Sequence, residues 1–344
     1  MLLLVCVFYI TKKGGRVQSP FSVDGLFFLS ICPLKKVVIV LYVLDWICTN
    51  MTTVMESQLR NLISDSNRFL KCLQHYLKHS TEIQTMQDFI DNLLLDIMAK
   101  TVNGKSNLNV IGVGSGTGEH DLQMFSTLHH KYPEMTVDNE VIEPNPKQLR
   151  DYKDLVSQTP GLDYIKFNWN KMTAEEFEEQ WKDENRTKKA DLIHMFQMLY
   201  FVKDPGATIS FFKSLLNKNG QLLITLVSEN FGLVKMHNAY RNQLGTVYLS
   251  SGDIKIFLDS KGVSYRSYYL PNEVDITKCF IEGDEEGELM IDFLTDVLDF
   301  SKTASPELKA GVMEFLGCPE FSVKSSGKVL LNANYEMIVI EQLT

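Results

Sequence analysis

The stretch NVIGVGSGTGEHDLQMF, residues 109–125, constrains the fold more than any other part of the chain. It opens as a short apolar run, as a buried strand does, and closes with apolar residues spaced for one face of a helix. Three alternating glycines stand between the two. A strand that passes through a glycine turn directly into a helix is the opening unit of a sheet whose strands return in parallel.

The same rhythm continues on both sides. Residues 56–78 and 84–99 read as amphipathic helices, and HSTEIQ between them fits a capping box with Thr81 at the N-cap and Gln84 three residues on. Strands are expected at 108–113, 136–143, 162–169, 190–196, 221–227 and 263–270, and 328–342 is long enough for a last one. Helices are expected at 119–131, 146–157, 174–184, 206–220 (closed by Gly220) and 251–261. Strands alternating with helices of this length predict an α/β fold, a mostly parallel sheet covered on both faces. The stretches 229–250 and 271–325 break the rhythm and read as additions around the mouth of the site.

With 44% apolar and 22% charged residues, 344 residues can bury a sizeable core. The formal charge of −9 comes without a basic block, which disfavours a nucleic-acid partner and suits a small neutral or cationic one. Cys6, Cys32, Cys48, Cys72, Cys279 and Cys318 form neither a CxxC nor a regular pattern, so no zinc site or disulfide framework is predicted and the body reads as cytoplasmic. EGDEEGE lacks the calcium-loop spacing, and no metal is assigned. Residues 1–54 stand apart. MLLLVCVFYI has no basic segment before it, and VVIVLYVLDWIC is short of the ~20 residues a spanning helix needs. They read either as an anchor or leader, or as an extension outside the fold with Met51 or Met55 as the start. The folded domain is taken as 55–344.

The glycine cluster does not make the dinucleotide fingerprint. Counted from Gly112, the third glycine position is Thr117; counted from Gly114, it is Glu119. What remains is Gly114-x-Gly116-x-Gly118, which lets backbone approach a ligand, followed by an acid that repels phosphate at the helix N-terminus. An adenosine cofactor without phosphate, S-adenosylmethionine, fits better than NAD. Glu143, ending the second strand, is placed to accept the ribose hydroxyl protons.

From about Met55 to its end the chain resembles the histamine N-methyltransferase family. The resemblance is carried by YLKHSTEIQTMQDF, GVGSGTGEHDLQ, DNEVIEPNPKQL, DLIHMFQMLYFVKD, CFIEGDEEGELMIDFLT and GKVLLNANYEMIVIE. It implies a class I methyltransferase, Rossmann-like sheet with an antiparallel last strand. It also implies a substrate-binding subdomain built from additions around 55–100, 229–250 and 271–325. On the cofactor side it implies Gly114, Gly116, Gly118, Glu143, Gln148 and Phe196. For the substrate it implies Glu82 and Gln197 as the residues holding the reacting ring and amine, with Phe69, Tyr76, Tyr200, Phe201 and Phe280 as walls. The expected molecule is a monomer acting on a small imidazole substrate, with no membrane attachment of its catalytic body.

The chain departs from that pattern in places. Leu233 and His237 stand where the family has tryptophans, Ala333 replaces an asparagine between Asn332 and Asn334, Ile83 replaces a histidine, and Gly112 replaces an acid. His237, Asn332 and Asn334 are carried as substrate-wall residues. Smaller walls predict a larger pocket, favouring an imidazole dipeptide such as carnosine, giving anserine, over histamine. A catalytically silent cofactor-binding relative and an NAD-dependent oxidoreductase are the remaining alternatives. QMLY after the fourth strand is not the motif of a nucleic-acid amino-methyltransferase. The bland readings are that Glu82 serves only its helix dipole, that Phe69 and Tyr76 are core, and that His194 is structural.

Overall fold

The computed structural model describes residues 59–246 and 248–342; the expectations for residues 1–54 lie outside them. In chain order the strands are β1 (Asn107–Val113), β2 (Thr136–Ile142), β3 (Ile165–Asn170), β4 (Ala190–Phe196), β5 (Leu216–Val227), β6 (Arg266–Leu270), β7 (Glu273–Asp275), β8 (Ser322–Ser325), β9 (Lys328–Asn332) and β10 (Tyr335–Glu341). The helices are α1 (Ser66–His79), α2 (Glu82–Asn92), α3 (Leu94–Val102), α4 (Glu119–Lys131), α5 (Pro146–Gln158), α6 (Ala174–Asp183), α7 (Pro205–Ser214), α8 (Gly232–Ala239), α9 (Arg241–Leu244), α10 (Ser251–Ser260), α11 (Glu285–Thr295), α12 (Phe300–Thr303) and α13 (Pro306–Leu316).

Seven strands form one sheet in the order β3-β2-β1-β4-β5-β10-β6. The pairings β1–β2, β1–β4, β2–β3 and β4–β5 are parallel, and β10 alone runs against its neighbours β5 and β6. The sheet is mostly parallel with an antiparallel last strand, as the resemblance implies. Period-two alternation sends successive residues to opposite faces. Leu108 and Val110 of β1 join α2, α3, α4 and α5 in one core, while Ile111 and Val113 join α6, α7 and α10 in the other. Met337 and Val339 of β10 face the first core, and Ile338 and Ile340 the second.

A third core lies at the end of the sheet. Tyr76 of α1, Phe231, Leu233 and Met236 around α8, Met290 and Leu294 of α11, Val312 of α13, and Leu331 of β9 are buried together there. A small antiparallel sheet, β7-β9-β8, belongs to this lobe. The long last strand expected at 328–342 is thus two strands, β9 in the small sheet and β10 in the large one. Among the described residues, no helix is long and apolar enough to cross a membrane.

Two local expectations are corrected. Thr81 does not cap α2 with its side chain; its hydroxyl donates to Asn272 Oδ1 (3.0 Å) and accepts from Glu273 N (3.0 Å). A tertiary partner has taken the hydroxyl that a local cap would use. Helix α7 ends at Ser214 rather than Gly220, because Leu216–Val227 is drawn into pairing with β4 and β10.

The third core is tied to α1 by an ion pair. Asp292 of α11, fully buried, accepts from Arg68 Nε (2.9 Å) and Nη2 (2.6 Å) and from Phe300 N (2.9 Å). Burial pushes its carboxyl up, and Arg68 with the backbone donors only partly offsets that. Replacing Asp292 by Ala strands the guanidinium and the Phe300 amide, so Asp292→Ala should cost about 3 kcal/mol. The measurement is a urea titration, with the midpoint lowered and the slope unchanged.

Candidate functional site

The first half of the site is the turn from β1 into α4. Gly114 N donates to Ile142 O (2.8 Å), pinning the turn to the end of β2. Gly118, the N-cap of α4, has φ 84°, and a Cβ there would lie 2.1 Å from the Tyr152 ring, so only glycine fits. Gly116, φ 58°, is different: a Cβ would meet nothing nearer than Gln148 Nε2 at 4.0 Å. The chain is left-handed there beside open space, a cradle for an approaching ligand.

Glu143 follows β2 and is buried. Its Oε2 accepts from Gly116 N (2.9 Å) and its Oε1 from Asn145 N (2.7 Å). Burial raises its pKa against those two amides. A carboxylate offers about four lone-pair sites, so two remain for a vicinal diol. The Gly116 amide that a phosphate would need is already given to this carboxylate. Gln148 lies in the first turn of α5 and Phe196 at the end of β4, its ring 4.8 Å from His194 and 6.2 Å from His120. Loop, Glu143, Gln148 and Phe196 all stand at the carboxyl ends of parallel strands, where open α/β sheets take ligands.

A buried network beneath this loop has no counterpart in the sequence reading. Asp121 accepts from Ser115 Oγ (3.0 Å) and Tyr152 Oη (3.0 Å), with His194 Nε2 at 3.1 Å. Burial pushes the Asp121 carboxyl up, but the His194 ring and these hydrogen bonds outweigh it and hold it below the usual range. The one available signal was an acid on the apolar face of α4.

The second half is a carboxyl among phenols. Glu82 opens α2, and burial pushes its pKa up to about 7 despite the Tyr335 and Tyr76 hydroxyls facing it. Tyr200 and Tyr248 feel the same carboxylate and are raised, as are Tyr76 and Tyr335, mainly by burial. The Tyr335 hydroxyl is buried without a well-formed hydrogen bond, so its attraction to Glu82 is electrostatic. Tyr200 links this group to Gln197: its Oη donates to Gln197 Oε1 (2.9 Å) and accepts from Val227 N (2.9 Å). Gln197 itself has φ 52°, a strained value for a non-glycine residue, held by its N–H on Thr225 O (3.2 Å). One lone pair of the Gln197 oxygen is taken by Tyr200, which leaves the amide a second lone pair and its N–H donors.

The aromatic wall is continuous. Phe69 meets Phe201 edge-on (6.0 Å) and Phe293 (6.5 Å), and Phe293 meets Tyr76 (4.5 Å). Phe201 is 54% exposed, as a rim residue is. Phe69 and Tyr76 pack in apolar clusters and belong to this aromatic row as well.

Other expected residues stand elsewhere. Phe280 is exposed and packs beside Gly317. Asn332 is exposed, its Oδ1 accepting from Asn334 N, while Asn334 Oδ1 accepts from Asn272 N (2.7 Å). Asn272, buried and unforeseen, donates to Tyr76 Oη (3.3 Å) and Ala333 O (3.1 Å). His237 is fully buried: Nε2 donates to Leu294 O (2.9 Å), which leaves Nδ1 to accept from Thr246 Oγ1 (2.8 Å). Both nitrogens are spent on the protein. Leu233 and Ala333 are buried in the same core.

A family model described as a methyltransferase domain matches residues 73–255. Histamine N-methyltransferase of Danio rerio is 51% identical over 291 residues, 83% of this chain and 100% of that protein. The histamine N-methyltransferase of Mus musculus is 43% identical over 292 residues, 83% of this chain and 99% of that protein. The solved plantazolicin methyltransferase BpumL, in complex with SAH, is 11% identical, with a TM-score of 0.42 over 79% of this chain and 89% of that one. The chain is a methyltransferase. Within that class it belongs to the histamine N-methyltransferase family.

Burial pushes the His237 pKa down to about 4, with the Leu294 carbonyl opposing. An unfolded histidine titrates near ~6.5, so below that pH the unfolded chain binds a proton the folded chain refuses. This contribution to stability is full above ~6.5 and is lost progressively as pH falls toward 4. Between pH 7 and 5 the native protein should lose on the order of 1–2 kcal/mol more than His237→Gln, read by denaturant titration at both pH values.

Proposed function

We propose that this protein methylates an imidazole ring nitrogen of histamine, with S-adenosylmethionine as methyl donor. The observation that carries the substrate reading is Glu82, a carboxyl whose charge acts on Tyr76, Tyr200, Tyr248 and Tyr335, with the Tyr200 hydroxyl also holding the Gln197 amide. A small cation carrying a ring nitrogen matches that pairing, and both curated relatives above bear the name of histamine.

The residues present fit the donor. The open cradle at Gly116 accepts adenosine backbone-to-ligand, Glu143 has lone pairs left for the ribose, Gln148 faces the cradle, and Phe196 offers a flat apolar surface. When bound, S-adenosylmethionine supplies an electrophilic methyl on a sulfonium. A neutral imidazole nitrogen needs no strong base to accept it, so the work left to the protein is alignment and exclusion of water, where positioning is worth up to ~7–11 kcal/mol. Glu82 holds the ammonium end. The ring nitrogen that does not react carries the proton and donates it to the remaining lone pair of Gln197 Oε1, which chooses the tautomer, while Tyr200 fixes the amide. Phe69 and Phe201 close the rim.

Leu233, His237 and Ala333 favour carnosine only if they enlarge the pocket. All three are buried, and both His237 nitrogens are bonded within the protein, which weakens that support. NAD is disfavoured by the Gly116 amide, already committed to Glu143.

The test uses the full chain with S-adenosylmethionine labelled in the methyl group, offering histamine and carnosine separately and locating the label. Turnover on histamine with the methyl on the ring is expected; turnover on carnosine alone, or on neither, overturns the reading. Glu82→Gln should lower kcat/KM for histamine by about tenfold or more, the worth of a hydrogen bond to a charged group, and leave 4-methylimidazole, which lacks the amine, unchanged. Because Glu82 gains its proton below about 7, the ratio of native to variant kcat/KM should shrink between pH 8 and pH 6. Equal ratios across that range would return Glu82 to a helix-dipole role.

A further inference from the structure

Outside this site, the last turns of α1 carry His75 and His79 on one face, their ring centroids 4.2 Å apart. Glu286, in the first turn of α11, completes a group in which one ligand atom of each residue lies within 4.8 Å of the others. All three are half-buried. His79 Nδ1 lies 2.9 Å from the carbonyl oxygen of His75. A carbonyl can only accept, so Nδ1 carries the proton and Nε2 keeps its lone pair, the backing that metal-ligating histidines ordinarily have.

We propose that His75, His79 and Glu286 form a site for a divalent transition cation, zinc or copper, which bridges the end of α1 to the start of α11. Two imidazoles and one carboxylate suit that class rather than calcium or magnesium, which want oxygen shells. Tetrahedral zinc with bonds of about 2.0–2.1 Å places its ligands ~3.3 Å apart, a distance side-chain rotation can reach from the present spacing. Water completes the coordination. Glu286 is at present paired with Lys278 Nζ, so an incoming cation competes with that ammonium. In the sequence the two histidines and Glu286 lie far apart, so no local motif announces the cluster. The site is independent of the proposed reaction, though it grips the helix that carries Tyr76 and leads within three residues to Glu82.

The experiment titrates zinc chloride into the chelator-treated full chain by calorimetry, with three variants in parallel. The native chain should bind zinc, and His75→Ala and Glu286→Gln should each weaken that binding by about tenfold or more. Lys278→Gln should tighten it, a gain that misfolding cannot produce. Copper(II) added in place of zinc should show two nitrogen couplings by electron paramagnetic resonance, falling to one in His75→Ala. No zinc binding, or binding whose affinity is unchanged in both ligand variants and in Lys278→Gln, overturns the proposal and leaves a surface ion pair beside two neighbouring rings.

Discussion

The amide of Asn272 joins the two halves of this molecule. It sits between β6 and β7, where the chain leaves the large sheet for the small one, and is almost fully excluded from solvent. Its Nδ2 donates to Tyr76 on α1 and to the Ala333 carbonyl between β9 and β10, its Oδ1 accepts from Thr81, and its own N–H goes to Asn334. A buried amide with every group engaged favours one arrangement strongly, since any shift leaves polar atoms without water or partner. Thr81 is the residue before Glu82, and Tyr76 and Tyr335 face the Glu82 carboxyl. The position of that carboxyl relative to the sheet is therefore set through Asn272.

The same logic governs the other half. Glu143 ties the glycine turn to the end of β2 through Gly116 N, and Asp121 ties it from below through Ser115, Tyr152 and His194. A glycine-rich turn loses much conformational entropy on ordering. Two buried carboxylates, each spending lone pairs on the turn, offset that loss and leave the Gly116 side clear. Rigidity of the loop and openness of the cradle thus come from the same contacts.

What the sequence made legible was local. The β1 strand, the glycine turn and α4 could be read in order because period two, positive φ and period 3.6 are each properties of a few neighbouring residues. Glu143 was legible because a strand end fixes where its side chain goes. Gln197 was placed by the end of β4, though nothing in QMLY foretold its left-handed backbone. The misses are long-range. Thr81 looked like a cap until a partner 191 residues away claimed its hydroxyl, and Tyr152 reaches Asp121 across 31 residues. Tyr248 and Tyr335 joined Glu82 with no motif to announce them.

The substitutions at 233, 237 and 333 teach a different point. Counting lost indole and amide volume predicted a larger pocket, but volume lost from a side chain becomes a cavity only if neighbours fail to close on it. His237 fills its place with a ring whose two nitrogens find Leu294 and Thr246, and it lies 4.7 Å from Tyr248. Tyr248 in turn packs 5.6 Å from Tyr200, which holds Gln197. The histidine is thus part of the row of ring contacts that leads through Tyr248 and Tyr200 to the Gln197 amide. A residue type chosen for a buried, doubly bonded position says how its neighbours are braced; under the proposed reaction, what the site receives is left to Glu82, Gln197, Phe69 and Phe201.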